Sequence, residues 1–233
     1  MKKIVFLLLV CFFSCGSFSK TMQNITEIPV SAEIPAVEEE SENTEEQNIQ
    51  LEGLTLPAAA CNLIYFNQTD PRWAEKNYGP QNRMETYGCG PTVLSMLVST
   101  FTDQSIHPDE MAAWCYENGF FSPNSGSYHS IIAEGSKAWG LDVKTVTDTS
   151  YRSLLHELYS GRLLVLLMGK GHFTESGHFL IVRNVTLTGD LLVADPNSLE
   201  NSLSSWDYEL VQSEIKSSST AGGPVWSIGK VHR

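Results

Sequence analysis

Tyr87-Gly88-Cys89-Gly90-Pro91-Thr92-Val93-Leu94-Ser95-Met96-Leu97-Val98 passes from two glycines and a proline directly into an apolar stretch. Pro91 suits a first helical turn, where its missing N–H costs nothing, so the pattern predicts a buried helix over 90–101 with Cys89 at its start. Amide groups there have no helical carbonyl to donate to, and the partial positive charge of the helix start favours an anion. Together these lower a thiol pKa from about 8.5 into the range of roughly 3.5–7.5, more so with an imidazolium beside it. A lone cysteine in an apolar run is more often a small buried hydrophobe. Partners elsewhere in the chain decide between the two.

The elements that follow set the fold class. Helical patterns cover 108–118, ending at Gly119, and 128–138, ending near Gly140. Trp114 and Trp139 read as core residues. Leu141–Thr147 reads as a short strand, and Thr149 or Ser150 can cap a helix over 151–159 that stops at Gly161. Three brief apolar runs come next, Leu163–Met168, Phe179–Val182 and Leu191–Ala194, and their brevity favours strands. Helices first and an antiparallel sheet afterwards describe an α+β domain, with N-terminal helices packed on a C-terminal antiparallel sheet.

Two of those runs carry the partners Cys89 needs. His178 opens one strand in Gly177-His178-Phe179-Leu180, and Asp195 closes the next in Val193-Ala194-Asp195-Pro196. With a turn near 186–190, antiparallel pairing brings these two ends together. One imidazole nitrogen can then take the thiol proton while the other donates to Asp195, which fixes the tautomer and stabilises the imidazolium. Taken singly, His178 reads as a strand-edge histidine and Asp195 as a turn former. In combination with Cys89 the catalytic reading is the stronger. His172, in the polar loop 169–177, and His129, at a helix start, are rival bases without such a carboxylate partner.

Cys89-Gly90-Pro91-Thr92 opening an apolar helix, Gly171-His172-Phe173-Thr174 followed by Gly177-His178-Phe179, and Ala194-Asp195-Pro196-Asn197 resemble the papain-like, bacteriocin-processing (double-glycine leader) peptidase domains of bacteria. The resemblance covers about residues 63–228. It implies a papain-like fold, cysteine peptidase activity on peptide or protein substrates, and a glutamine upstream of the cysteine as oxyanion-hole donor. Tyr65-Phe66-Asn67-Gln68-Thr69-Asp70-Pro71-Arg72-Trp73 resembles the family's opening segment, which makes Gln68 the candidate. Gln68 lies further from the cysteine than in leader-processing members, so Gln81 is its rival. Either amide can donate to an acyl-transfer oxyanion beside the Cys89 N–H.

Residues 1–20 have the form of an export signal, with Lys2 and Lys3, an apolar stretch Ile4–Phe13, and small residues Ser14–Ser17. Phe-Phe-Ser-Cys-Gly-Ser around Cys15 resembles a bacterial lipid-attachment box, which leaves lipid anchoring and free secretion both open and makes that anchor the only expected membrane link. Either way the expected location is extracellular or at the cell surface. Residues 21–60 carry Glu27, Glu33, Glu38–Glu40, Glu42, Glu45, Glu46 and Glu52 and no lysine or arginine, as an acidic disordered linker would. Residues 61–233 then form one domain.

The net charge of −12 argues against a nucleic-acid partner, and no Lys/Arg cluster contradicts that. Cys61, Cys89 and Cys115 fall in the domain, which allows either a Cys61–Cys115 disulfide or two spare thiols beside the working one. No cofactor is called for. His172, Glu175 and His178 stand three apart in a loop with no His-Glu-x-x-His helix, the cysteines lack zinc spacing, and no Gly-x-Ser-x-Gly elbow occurs. The leading expectation is an exported cysteine peptidase. Its alternatives are a cell-wall amidase or endopeptidase acting on peptidoglycan, and a non-catalytic papain-like surface binding module.

Overall fold

In the computed structural model, which describes residues 54–231, the chain opens with an antiparallel pair, β1 (Leu54–Pro57) and β2 (Asn62–Tyr65). The expected signal over 1–20, Cys15 and the acidic stretch up to residue 53 lie outside the described residues. The linker boundary expected at residue 60 is corrected by this hairpin. Leu56 is buried and Pro57 O accepts from the Arg183 guanidinium, so folded structure starts by Leu54. The acidic character of residues 21–52 had hidden the short apolar alternation of Leu54-Thr55-Leu56.

A small ribbon, β3 (Asn77–Tyr78) with β4 (Asn82–Arg83), leads into one helical turn, α1 (Met84–Tyr87). The helix α2 (Cys89–Phe101) follows after Gly88, and α3 (Pro108–Glu117) follows α2. Both agree with the sequence pattern. A second ribbon, β5 (Phe121–Ser122) with β6 (Gly126–Ser127), precedes the segment expected as a helix over 128–138. That segment instead forms a π turn over Ile131–Gly135 and a short α4 (Ser136–Ala138). Gly135 packs so closely on α2 that a Cβ there would stand 2.9 Å from Leu94 Cδ2.

The remaining elements are β7 (Leu141–Thr145), α5 (Tyr151–Tyr159), β8 (Leu163–Met168), β9 (His178–Val185), β10 (Leu191–Ala194), α6 (Leu199–Leu203), β11 (Ser205–Trp206), α7 (Tyr208–Glu214) and β12 (Val225–Lys230). Ser150 caps α5 by accepting from Ser153 N. Six strands form one antiparallel sheet in the order β11-β10-β9-β8-β12-β7. β12 inserts between β7 and β8, an element the sequence reading did not assign.

Strand periodicity explains how the sheet is covered. In β8 every residue is buried. Leu163, Val165 and Leu167 join Phe179, Ile181, Trp226 and Ile228 against Val93, Leu94 and Leu97 of α2. Leu164, Leu166 and Met168 join Leu180, Val182 and Val225 against Leu154 and Leu158 of α5 and Val211 of α7. Each fully buried Leu or Val contributes about 1.5–3 kcal/mol. Helices therefore cover both faces of the sheet, and α2 lies on the face that Phe179 and Ile181 share. The α+β class read from the sequence holds, with a second helical layer added.

Candidate active site

Cys89 is the first residue of α2, and its N-cap Gly88 offers no side chain to the first-turn amides. Two glycines make the approach possible. A Cβ on Gly88 would meet Met84 O at 2.5 Å, and one on Gly90 would meet Ser127 Oγ at 2.5 Å. The thiol is half-buried. Burial pushes its pKa up, but a hydrogen bond to His178, the charge of that ring, and the backbone amides of Phe179 and Gly90 outweigh burial. The net direction is down, toward thiolate.

His178 begins β9 opposite Met168, and its Nε2 lies 2.7 Å from Asp195 Oδ1. That leaves Nδ1 for the thiol. The strands β9 and β10 pair as expected, with Ala194 opposite Ile181 and the chain reversing where Thr186 N donates to Asp190 O at 2.8 Å. A register shift between Leu192 and Val193 takes up one residue of β9 on the way. Burial alone would lower the His178 pKa. Its hydrogen bonds to Asp195 and Cys89 and the charges of both reverse this, and the ring is pushed up to about 10. Burial raises Asp195, and the His178 contact, with Asn201 and the Asn197 amide, brings it below the usual carboxylate range.

Asp195 is 1% exposed and all its polar atoms are engaged. Oδ1 also accepts from Asn197 N at 2.9 Å, and Oδ2 accepts from Asn201 Nδ2 at 2.8 Å. Its amide donates to Ser202 Oγ at 2.9 Å, and its carbonyl accepts from Tyr65 Oη at 2.7 Å. Asn201 and Tyr65 were not anticipated. Ser198, which caps α6 by accepting from Asn201 N, was the readable signal that a helical turn follows the aspartate. Arg183 binds the same region from beneath. Its guanidinium donates to Val193 O at 3.0 Å, Ser202 O at 2.9 Å and Pro57 O.

The two glutamine candidates separate clearly. Gln68 is 3% exposed; its amide N–H donates to Pro196 O at 2.6 Å and its Nε2 to Glu85 O at 2.9 Å. It therefore bridges the loop after Asp195 and the turn before Cys89. Its Oε1 is buried without a partner, and an amide NH2 carries a second donor. Gln81 is exposed and bonds Asn124 Oδ1 at 3.1 Å on the far ribbon.

The rival histidines have other partners. His172 is held by Glu214 through both Nδ1 and its backbone amide. His129 Nδ1 accepts from Thr220 N at 3.3 Å, and its ring stands edge-on to Phe179. Cys61 and Cys115 are free thiols, each pushed up by burial.

A model of the family described as the Peptidase_C39 like family matches residues 62–221. No curated protein matches the chain. Among solved structures, the peptidase domain of Streptococcus ComA, described as a bi-functional ABC transporter involved in a quorum-sensing pathway, aligns at 18% identity over 65% of this chain and 96% of its own, with a TM-score of 0.44. The peptidase domain of Streptococcus mutans ComA in complex with a small-molecule inhibitor aligns at 18% identity over 64% and 93%, with a TM-score of 0.39.

Proposed function

The chain belongs to the Peptidase_C39 like family and is a cysteine peptidase; from that premise we propose that Cys89 is its nucleophile, His178 its general base and acid, Asp195 the orienting carboxylate and Gln68 the oxyanion donor. The Cys89 thiolate attacks the scissile carbonyl carbon, and a C–S bond forms as the carbonyl π pair moves to oxygen. The Cys89 N–H and the free Gln68 Nε2 hydrogen receive that oxyanion. Imidazolium His178 protonates the leaving amine as the C–N bond breaks. His178 then takes a proton from water, which hydrolyses the thioester and restores the thiolate pair. Asp195 holds the ring tautomer throughout and does not itself accept the proton.

The observation that supports this reading is the hydrogen-bonded line from buried Asp195 through His178 Nε2 to the helix-start thiol. A binding module has no need of a thiol held ionised. We also propose export, on the basic, apolar and small-residue order of residues 1–20.

The test is to incubate the intact protein and Cys89→Ala with a mixed peptide library and with purified cell wall, reading products by mass spectrometry. Peptide-bond cleavage by the intact protein alone is expected. Cleavage that survives Cys89→Ala overturns the nucleophile, and release from cell wall without peptide cleavage moves the activity to peptidoglycan.

A further inference from the structure

Beside Gly177, the residue before His178, stands a cation that the proposed triad does not use. Gly90 packs against Ser127, so the segment from Ser127 to His129 flanks the start of α2. The His129 ring lies 6.0 Å from the Phe179 ring, edge to face, and the Phe179 amide is one that holds the thiol. Ser219 Oγ lies 3.2 Å from His129 Nδ1, which ties the stretch after α7 to the same segment. Lys216 lies in that stretch. Its amide donates to Leu167 O at 2.9 Å, which fixes its backbone to β8, and its Nζ stands 3.1 Å from where a Cβ on Gly177 would be, immediately before His178. The side chain thus reaches back over the loop that leads into the base. His129 is held down by burial and, next, by the charge of Lys216, which puts the ammonium within electrostatic reach of that ring.

Among the described residues, no hydrogen bond or ion pair reaches Lys216 Nζ. The carboxylates nearest in the chain are already engaged, Glu214 by His172 and Glu175 by Lys170 at 2.9 Å. In a chain of net charge −12, an ammonium without a counter-ion on a half-buried lysine is out of keeping with its surroundings. A carboxylate arriving with substrate would be its partner.

We infer that Lys216, framed by Gly177 and His129, receives a carboxylate of the peptide near the scissile bond and gives the peptidase a preference for acidic substrates. This rests on the peptidase reading above and adds its specificity. The carboxylate is an Asp or Glu side chain or a free C-terminus. A partly exposed ion pair of this kind corresponds to about a fivefold preference in kcat/KM, one that salt weakens.

The test digests two peptide libraries, one with free and one with amidated C-termini, using the intact protein, Lys216→Met and Lys216→Glu, and maps cleavage sites by mass spectrometry. Iodoacetamide labelling of Cys89 reports whether each variant keeps its site. Expected are Asp and Glu enriched beside the cut by the intact protein in both libraries, loss of the enrichment in Lys216→Met, and enrichment of Lys and Arg in Lys216→Glu. Enrichment only near unblocked C-termini also supports the site and assigns the terminal carboxylate as its ligand. Cleavage with no acidic enrichment, or enrichment that persists in Lys216→Glu, overturns the inference while leaving the peptidase standing. Absence of any Cys89-dependent cleavage overturns the peptidase reading and this inference with it.

Discussion

Removing the His178 ring should convert Cys89 from a thiolate into an ordinary buried thiol. At pH 5.5 a free cysteine with a pKa of about 8.5 is ionised to about one part in 10³. For each tenfold gain in thiolate fraction that the lowered Cys89 pKa brings at that pH, a Brønsted slope of about 0.4–0.5 takes back about 2.5- to 3-fold in intrinsic nucleophilicity. The net expectation is alkylation faster than a free-cysteine reference peptide, by about 3- to 4-fold for each such tenfold gain. The assay is iodoacetamide at pH 5.5, quenched over time, with the Cys61, Cys89 and Cys115 peptides quantified by mass spectrometry. Cys61 and Cys115 should label more slowly than the reference, since burial pushes both thiols up. In His178→Ala the hydrogen bond and charge that oppose burial are gone, so Cys89 should fall to the reference rate or below it. Circular dichroism of the variant verifies that the fold survives. Equal labelling of the three cysteines, or an unchanged Cys89 rate in His178→Ala, would refute the ion-pair reasoning.

Asp195→Asn should lower kcat by about 10²–10⁴-fold with little change in KM, because an amide presents the ring with the wrong tautomer's partner; an equal loss through KM alone would point to substrate binding instead. Asn201→Ala should lower kcat by about tenfold by freeing Asp195 Oδ2, with partial recovery in Asn201→Gln, and an unshifted pH–rate profile would count against that role. The His178 ring is raised from 6.5 to about 10, so its stabilisation is fully present below pH 6.5 and is lost as pH rises through about 10. The gap in thermal midpoint between the intact protein and His178→Gln should narrow across that window, and a constant gap would contradict it. Gly90→Ala should cost about 1–3 kcal/mol in urea unfolding even though alanine favours a helix interior by about 1 kcal/mol, since its Cβ would meet Ser127 Oγ at 2.5 Å; an equal or higher midpoint would show that Ser127 yields freely.

What could be read from the chain beforehand was local. The helices over Cys89–Phe101, Pro108–Glu117 and Tyr151–Tyr159 had apolar periodicity bounded by glycine, proline or a serine cap, and each formed close to its expected limits. His178 and Asp195 could be brought together because a short hairpin constrains both strand ends. Long-range features were opaque. β12 pairs with strands far earlier in the chain, and nothing in Val225–Lys230 says that it inserts between β7 and β8. The Tyr65 hydroxyl reaches Asp195 across 130 residues, and Arg183 reaches Pro57 across 126, contacts that only the finished topology creates. Gln68 could be named beside Gln81 from resemblance, while their separation rests on burial.

The proposed nucleophile opens a helix, its proposed base begins β9 and the proposed orienting carboxylate directly follows β10, and Val93 and Leu97 share one apolar core with Phe179 and Ile181 between them. The apolar core is thus a spacer that sets the sulfur-to-imidazole separation, and a misplacement of about 1 Å can cost about 10²-fold in rate. On the proposed triad, substitutions here answer to two tolerances. A volume-conserving exchange that leaves the melting temperature untouched would still slow turnover, a constraint narrower than stability alone imposes.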